Sequence, residues 1–255
     1  MPADGELLRT HQLTKTFPGV VAVDKVDFDV RPGEIHALVG ENGAGKSTLI
    51  KILGGVYTAD SGRIVFDGRE VSFTSTHQSQ TSKISMIYQE FNLMPDLTVA
   101  ENIYIGREPK TAGLLINWRR INAQAQALLD RLDVRIDPRS YVADLPVAER
   151  QMVEIAKALS YEAKLIIMDE PTAALAVREV AKVLDLIRRL KEHDVSVILI
   201  SHRMQDIFEV SDRIMVLRQG QKVGDLVRSQ TTMDEVVALI TGAQGEALQA
   251  VTEVA

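Results

Sequence analysis

Hydrophobic and polar residues alternate along the first part of the chain in the way that is typical of strands with one buried face. The segments Leu7–Leu13 and Val20–Val30 follow this pattern, and the second ends at the turn Arg31-Pro32-Gly33. A shorter, mostly apolar strand is predicted at Glu34–Val39, and it leads directly into a glycine-rich segment. The alternation therefore predicts β-structure up to that segment.

Helical spacing begins directly after the glycine-rich segment and then alternates with strand patterns. A helix is predicted at Lys46–Leu53, where Gly54-Gly55 ends it, and a strand at Arg63–Phe66 is predicted to turn at Asp67-Gly68. The later predicted elements are a mainly helical stretch over about 98–159, a strand at Lys164–Asp169, a helix at Val177–His193 and a strand at Val195–Ser201. Strands that alternate with helices indicate an α/β fold with a parallel sheet, here with a helical insertion at about residues 90–160.

Composition narrows the class of protein. The 255 residues are 45% hydrophobic and 25% charged, which is typical of a globular domain. The net charge of −6 argues against nucleic acid or an anionic membrane surface as the main partner, although an acidic chain can still carry a local basic site. The absence of cysteine excludes disulfides and fits the cytoplasm. Apolar segments such as Val195–Ile200 are too short to span a bilayer, and Met1–Glu6 predicts no signal peptide. We expect residues 243–255 to form a flexible tail.

The glycine-rich segment has the spacing of a phosphate-binding loop, Gly-x-x-x-x-Gly-Lys-Ser. It consists of Gly40-Glu41-Asn42-Gly43-Ala44-Gly45-Lys46-Ser47-Thr48 and joins a predicted strand to a predicted helix. Glycines let successive backbone N–H groups surround a phosphate, and the positive end of the following helix adds to the attraction. Lys46 is expected to reach the β- and γ-phosphates of ATP, and the Ser47 hydroxyl is expected to hold Mg²⁺. A plain glycine-rich turn is the alternative, and the flanking strand and helix argue against it.

Two carboxylates follow the apolar run Leu165–Met168, at the point where a buried strand is predicted to end. They are Asp169 and Glu170. In open α/β sheets ligands bind at the carboxyl ends of the strands, which is the edge that also carries the phosphate loop. We assign Asp169 to Mg²⁺ and Glu170 to the activation of the attacking water. A solvated turn after the strand is the alternative for such a pair taken alone.

These motifs, in this order, resemble those of the nucleotide-binding subunits of ATP-binding-cassette (ABC) transporters over about residues 7–242. Gly40–Thr48 resembles the Walker A motif, and Ile166–Glu170 resembles the end of Walker B. The resemblance implies that Gln89 senses Mg²⁺ and the γ-phosphate, that His202 contacts the γ-phosphate, and that Phe17 stacks on adenine. The implied fold is a P-loop NTPase domain of the ABC type at residues 5–242, with a RecA-like core, an N-terminal antiparallel β-subdomain and a helical subdomain.

Finer matches resemble bacterial importers of simple sugars, of the ribose, xylose and fructose type. They lie at Gln89–Leu93, Leu97–Ile103, Gln151–Leu159, Met168–Leu175, Ser201–Met204 and Phe208–Arg213. Many members of that group carry two cassettes in one chain, whereas the phosphate loop occurs once here. We therefore expect a single cassette that pairs with a second one, and the sequence leaves open whether the two are identical.

The chain departs from the family where the signature motif, Leu-Ser-Gly-Gly-Gln, normally contacts ATP on the opposite subunit. The aligned residues are Leu145-Pro146-Val147-Ala148-Glu149, in which Pro146 has neither a hydroxyl nor an N–H group. Proline is tolerated in the first turn of a helix, so we expect the helix to form and the phosphate contact to weaken. A smaller departure is Ala174-Leu175-Ala176, where the family carries Ala-Leu-Asp.

The resemblance implies an ATP-binding and ATP-hydrolysing subunit that energises import of a simple sugar. Its implied partners are a multi-span permease at the inner face of the cytoplasmic membrane, a second cassette and, indirectly, a periplasmic or lipid-anchored sugar-binding protein. A soluble ABC ATPase without a transport role is one alternative, and the charge of −6 disfavours nucleic acid as its target. The second alternative is a nucleotide-dependent binding module in which Pro146 makes hydrolysis weak.

Overall fold

The computed structural model describes residues 5–111, 115–173 and 175–243. In these ranges the strands are β1 (Leu8–Phe17), β2 (Val20–Val30), β3 (Ile35–Val39), β4 (Ser61–Phe66), β5 (Arg69–Val71), β6 (Ile84–Ile87), β7 (Lys110–Thr111), β8 (Leu115–Ile116), β9 (Leu165–Asp169), β10 (Ser196–Ile200), β11 (Arg213–Arg218) and β12 (Gln221–Val227). The α-helices are α1 (Lys46–Leu53), α2 (Thr76–Thr81), α3 (Val99–Tyr104), α4 (Trp118–Arg131), α5 (Val147–Leu159), α6 (Val177–Glu192), α7 (Met204–Val210) and α8 (Met233–Thr241). None of the helices in these ranges has the length and hydropathy needed to cross a membrane.

A six-stranded sheet with the order β12-β11-β3-β10-β9-β6 forms the centre of the domain. The strands from β11 to β6 are parallel, and β12 pairs antiparallel with β11 at one edge. Alternate residues of β9 enter different cores: Ile166 and Met168 pack with α5 and α6, whereas Leu165 and Ile167 pack with α1. A strand covered on both faces is apolar throughout. The predicted α/β fold with a parallel sheet is therefore confirmed.

A second, antiparallel sheet with the order β2-β1-β4-β5 covers the side of the domain that carries α1. Asp67 and Gly68 both have positive φ angles, of 50° and 74°, which suits the tight turn that joins β4 to β5. The alternation predicted that β1 would end at Leu13, whereas the strand continues to Phe17. Its register against β2 shifts repeatedly between Thr10 and Thr16. Each shift breaks the alternation of the two faces, so the sequence pattern stops before the strand does.

Residues 90–160 contain α3, α4 and α5, which share one hydrophobic core with α6. The stretch over about 98–159 is mainly helical, as predicted, but the short hairpin β7–β8, which was not predicted, lies between α3 and α4. Gly106 has a positive φ of 73°, and Pro109 follows it, so a helix cannot continue through this segment. The predicted boundaries of a single domain at 5–242 stay a prediction. Residues 244–255, most of the expected tail, lie outside the described residues.

A buried ionic cluster joins the two sheets at His36, the second residue of β3. The Nδ1 atom of His36 lies 2.9 Å from the carbonyl oxygen of Asp29, so Nδ1 donates its proton there. The other ring nitrogen lies 3.7 Å from a carboxylate oxygen of Asp225. Arg213 donates to both of these aspartates and lies 3.4 Å from Glu34. Burial, and after it the positive charge of Arg213, lower the pKa of His36 from 6.5 to about 4.

We expect the free energy of unfolding to fall as the pH decreases from about 6.5 to about 4. In this range the unfolded chain binds a proton at His36 and the folded chain does not, so protonation favours unfolding. The difference in pKa corresponds to a loss of about 3 kcal/mol. Urea unfolding at a series of pH values, for the wild type and for His36→Gln, measures it. His36→Gln should lack this part of the pH dependence, whereas His77→Gln, a control at an exposed site, should keep it. If the free energy of unfolding changes equally with pH in the wild type and in His36→Gln, the assignment is contradicted.

Candidate nucleotide-binding site

The phosphate loop leaves the central strand β3 and ends where α1 begins at Lys46. Gly40, with a φ of 149°, sits so close to its neighbours that a Cβ atom there would lie 2.1 Å from the carbonyl oxygen of Leu217. Gly45 has a φ of 104°, and a Cβ atom there would lie 2.3 Å from the carbonyl oxygen of Ala22 in β2. Both positions therefore require glycine for backbone conformation and for space. The loop is fixed between β2 and β11 with the N-terminus of α1 opening onto it, which is the arrangement that binds a phosphate.

The ammonium group of Lys46 lies on the loop itself. Its Nζ atom donates to the carbonyl oxygens of Gly40, at 2.7 Å, and of Glu41, at 3.0 Å. Burial lowers the pKa of Lys46, and the negative charges of Glu170 and Asp169 oppose this effect. These two carboxylates are therefore close enough to act on the ammonium electrostatically. The structure brings Lys46 together with two adjacent carboxylates that lie more than a hundred positions further along the sequence.

Asp169 and Glu170 stand at the end of β9, next to the end of β10. Asp169 pairs with Ile200, and the N–H of Glu170 donates to the Ile200 carbonyl at 2.9 Å. Burial, with the charge of Glu170, raises the pKa of Asp169. Glu170 has a positive φ of 54°, which is uncommon outside glycine and turns its side chain toward the loop after β10.

Glu170 and His202 contact each other directly. The Nδ1 atom of His202 lies 2.8 Å from Oε2 of Glu170, and the backbone N–H of His202 donates to the same oxygen at 3.3 Å. Glu170 is mostly buried, whereas 68% of the His202 side chain is exposed. A buried carboxylate that is oriented by a histidine at the mouth of the site has the geometry of a general base with a positioning partner.

Gln89 and Phe17 lie at the margins of this site. Gln89 is exposed and follows β6 by two residues, and Ile87 of β6 pairs with Met168, so Gln89 leaves the sheet beside the strand that carries Asp169. The half-exposed ring of Phe17 packs edge-on against Tyr57, with ring centroids 5.3 Å apart. The predicted roles of Gln89 in sensing Mg²⁺ and of Phe17 in stacking on adenine stay predictions.

The signature segment packs on the face of the central sheet opposite α1, with Leu145 in the core of α5 and α6. Its helix, α5, begins at Val147 with Pro146 as the N-terminal cap, which confirms that the proline does not prevent the helix. Pro146, Ala148 and Glu149 line a cavity of about 410 Å³ whose other walls come from α6 and from residues 132–136. No residue of the phosphate loop or of the pair 169–170 lines this cavity. Ala174, part of the second departure from the family, lies outside the described residues.

Two sets of contacts around the site were missed by the sequence motifs. The buried Thr172 donates its hydroxyl proton to the buried Asp206 at 2.7 Å, which ties the loop after Glu170 to α7. On α5, Glu154 accepts the N–H of Asn92 at 2.6 Å, and Lys157 donates to the Asn92 carbonyl at 2.8 Å. The sequence signal that could have revealed the second set is a pair of charged residues three positions apart on the apolar face of a predicted helix.

The donor groups fit Mg-ATP. The loop offers a confined backbone and one ammonium group, which suit a chain of phosphates. The exposed Ser47 hydroxyl and the Asp169 carboxylate are oxygen ligands of the kind that Mg²⁺ prefers. Burial, and after it the charge of Glu170, raise the pKa of Asp169, and a cation would offset both effects. The arrangement is therefore capable of phosphoryl transfer to water.

Comparison with known proteins places the chain in a family. Residues 23–173 match the family model described as ABC transporter. The ribose import ATP-binding protein RbsA 2 of Streptomyces coelicolor is 52% identical over 237 residues, which are 93% of this chain and 46% of the relative. The galactose/methyl galactoside import ATP-binding protein MglA of Escherichia coli is 46% identical over 242 residues, 94% of this chain and 48% of the relative. The chain thus spans about half the length of these relatives.

Solved structures agree with this placement. A nucleotide-free ATP-binding cassette from an ABC transporter superposes with a TM-score of 0.81 at 25% identity, over 92% of this chain and 98% of that structure. The matched family model covers more than half of the chain and includes the phosphate loop and the Asp169-Glu170 pair. The chain therefore belongs to the ABC transporter family, and its fold is the P-loop nucleotide-binding domain of that family.

Proposed function

We propose that this chain binds ATP with Mg²⁺ and hydrolyses it. The observation that carries the proposal is the meeting of Lys46, Glu170 and His202 at one edge of the sheet, with Glu170 and His202 in contact at 2.8 Å. The activity implied by the family is the same, and the relatives reported above are named as ATP-binding proteins.

Each residue has a distinct role in this proposal. The loop and Lys46 hold the β- and γ-phosphates and offset the negative charge that is redistributed during phosphoryl transfer. Glu170 orients a water molecule and accepts its proton, and His202 holds the carboxylate in place. Bound Mg²⁺ supplies further positive charge at the phosphates, and Ser47 and Asp169 are the residues that would hold it, with Gln89 beside them. Phe17 offers a ring for the adenine.

We further propose that hydrolysis energises import of a simple sugar through a membrane permease. The relatives, which are import proteins for ribose and galactose, support this substrate class. A groove of about 170 Å³ lies between α2 and α5 and is lined by Tyr88, Asn92, Glu154 and Lys157 among others. It adjoins the segment after Gln89, so a permease helix seated there would contact both this segment and the signature helix.

A second cassette completes the proposed site. Leu145 and α5 pack on the face of the central sheet opposite α1, so the signature that contacts the bound ATP comes, in this proposal, from another cassette. That cassette is a second copy of this chain or a related domain. The assembly would sit at the inner face of the cytoplasmic membrane, with a periplasmic or lipid-anchored sugar-binding protein delivering sugar to the permease on the other side.

The experiment that tests the proposal is ATP-dependent uptake of radiolabelled sugars. The chain is reconstituted in proteoliposomes with the permease and sugar-binding protein that we expect its neighbouring genes to encode, and uptake of ribose, galactose, xylose and fructose is measured. Lys46→Ala should weaken ATP binding by at least about tenfold, because charge-assisted hydrogen bonds to phosphate are lost, and should abolish uptake.

The matched control is Lys164→Ala, which removes a lysine at the opposite end of the sheet. Lys164 forms an exposed ion pair with Asp67, and such pairs contribute little, so binding and uptake should remain. Hydrolysis without uptake of any of the sugars would retain the ATPase and reject the sugar importer. Normal ATP binding by Lys46→Ala would reject the site itself.

A further inference from the structure

Apolar and basic side chains are exposed together at the hairpin between α3 and α4. The hairpin patch consists of Lys110, Leu115, Ile116, Trp118, Arg119 and Arg120. Leu115 is 74% exposed, Trp118 51% and Ile116 38%. Lys110 pairs directly with Ile116 across the hairpin, so the two side chains share one face of it. Three large apolar residues this exposed within four positions of the chain indicate a binding surface rather than ordinary surface variation.

The charge of the patch is opposite to that of the whole chain. Residues 106–123 contain four cations and one carboxylate, a net charge of +3, whereas the full chain has a net charge of −6. The carboxylate, Glu108, accepts the N–H of Gly106 at 2.9 Å. Among the described residues, Lys110, Arg119 and Arg120 have no carboxylate within ion-pair distance. Their charges are therefore available to an anionic partner.

Helix α4 has basic residues at its N-terminal end, where the helix dipole disfavours them. Arg119 and Arg120 occupy its first turn, which contains no acidic residue. Cations at this end are repelled by the helix dipole, and acidic residues are the stabilising choice. Residues that break a local rule without a structural gain are expected at functional surfaces.

The patch is connected to the groove that we propose for the permease. Arg107, at the base of the hairpin, lies 3.5 Å above the ring of Tyr161 and donates to the carbonyl oxygen and the hydroxyl of Ser160. Tyr161 also lines the groove between α2 and α5. The hairpin is therefore held beside the surface that would face the membrane, an argument that rests on the proposed function.

We propose that the hairpin patch binds the anionic lipid surface of the membrane. Tryptophan with flanking aliphatic and basic residues is the combination that favours the boundary between lipid headgroups and acyl chains. Lys110, Arg119 and Arg120 contact the headgroups, and Leu115, Ile116 and Trp118 enter the boundary below them. The rest of this acidic chain is repelled by the same surface, so the patch also orients the domain.

The contact is weak by itself and acts together with permease docking. Three basic residues near an anionic surface give roughly 100-fold preference over a neutral surface at low salt. Once a permease holds the domain at the membrane, even a weak contact is made at high effective concentration.

Trp118 is the only tryptophan of the chain, so its fluorescence reports on the patch alone. The purified full chain is titrated with vesicles of phosphatidylglycerol, and in parallel with vesicles of phosphatidylcholine. We expect a blue shift with phosphatidylglycerol only, its loss in high salt, and quenching by brominated phosphatidylglycerol. No response to phosphatidylglycerol, or an equal response to both lipids, overturns the proposal.

Variants separate the patch from general electrostatics. The triple variant K110E/R119E/R120E should lose at least tenfold in affinity for phosphatidylglycerol vesicles, and acidic residues in the first turn of α4 should not harm its folding. The control triple variant R63E/R69E/R178E replaces three exposed arginines outside the patch and changes the net charge by the same amount. It should bind phosphatidylglycerol vesicles more tightly than K110E/R119E/R120E does. Equal loss in both triples overturns the assignment to the patch.

Two further outcomes are informative. An emission shift that depends on protein concentration and not on lipid would assign the patch to a second copy of the chain and overturn the lipid proposal. ATP binding by K110E/R119E/R120E is measured alongside and should be unchanged. Loss of lipid binding with intact sugar uptake would reject this inference alone, whereas lipid binding by a chain that supports no uptake would reject the importer alone.

Discussion

Replacement of Glu170 by glutamine is expected to reduce ATP turnover by about 100- to 10,000-fold while ATP still binds. This is the range that a well-placed general base contributes, and glutamine keeps the shape of the side chain but cannot accept the proton. The backbone N–H of His202 can still donate to the glutamine oxygen, so the loop after β10 should stay in place. Removal of the charge should also lower the pKa of Asp169, because Glu170 is one of the two causes that raise it.

Phosphate release under saturating Mg-ATP, with ATP affinity measured separately, is the assay for this variant. Glu162→Gln is the matched control. Glu162 is 83% exposed and pairs with Lys83 at the opposite end of the sheet, so this variant should hydrolyse ATP like the wild type. Turnover of Glu170→Gln within about threefold of wild type would show that another group activates the water. Loss of ATP binding in this variant would mean that Glu170 holds the site together rather than acting as a base.

Replacement of Pro146 by serine is expected to increase the turnover of a homodimer by about ten- to a hundredfold. One charge-assisted hydrogen bond to phosphate is worth about 1.5–3 kcal/mol, and the proline supplies neither the hydroxyl nor the N–H that would make it. The structure adds a second expectation. Pro146 occupies the N-terminal cap of α5 without a side-chain hydrogen bond, and serine is favoured at that position by about 1 kcal/mol.

The two effects of the serine can be separated with Pro146→Ala. Alanine restores the backbone N–H but gives neither a cap nor a hydroxyl, so it should leave turnover below that of the serine variant. Thermal unfolding measures the capping effect, and phosphate release at equal occupancy by ATP measures the catalytic effect. If the wild type already turns over as fast as Pro146→Ser, the signature does not limit hydrolysis. A gain in stability without a gain in turnover would show that the serine caps the helix but does not contribute to hydrolysis.

Turnover measured with a second cassette tests whether the active pair is two copies of this chain or a mixed pair. A cassette with an intact Leu-Ser-Gly-Gly-Gln motif, mixed with this chain, should stimulate hydrolysis at this chain's own phosphate loop. The Glu170→Gln variant in the same mixture identifies which of the two sites is turning over. A mixed pair would then be the active form, and Pro146 would mark the partner's site as the slow one.

Sequence patterns located the contiguous parts of the site well. The phosphate loop from Gly40 to Thr48, the start of α1 at Lys46 and the end of β9 at Asp169 are where the sequence places them. These features depend on residues that are neighbours in the chain, such as glycines with positive φ and a strand that is apolar on both faces. The family resemblance is confirmed by the match to the ABC transporter model.

Elements with irregular patterns were harder to predict. β6 was not predicted, because the buried Ser85 interrupts its apolar run, and the structure shows that its hydroxyl is satisfied by the carbonyl of Ala158. β1 was predicted too short because of its bulges. The hairpin β7–β8 was hidden within a stretch of helical spacing, since strands of two residues show no alternation.

The sequence by itself determined the fold class, the family and the phosphate loop, because each of these is encoded by local patterns and by the order of motifs. Only the tertiary structure decided which distant groups meet: Glu170 with His202, Thr172 with Asp206, and Asn92 with Glu154 and Lys157. It also placed Leu145 with α5 on the face of the sheet opposite α1, and it exposed Trp118 beside basic residues. The physical reason is that such contacts depend on strand register and helix packing, which join residues that the linear pattern treats as independent.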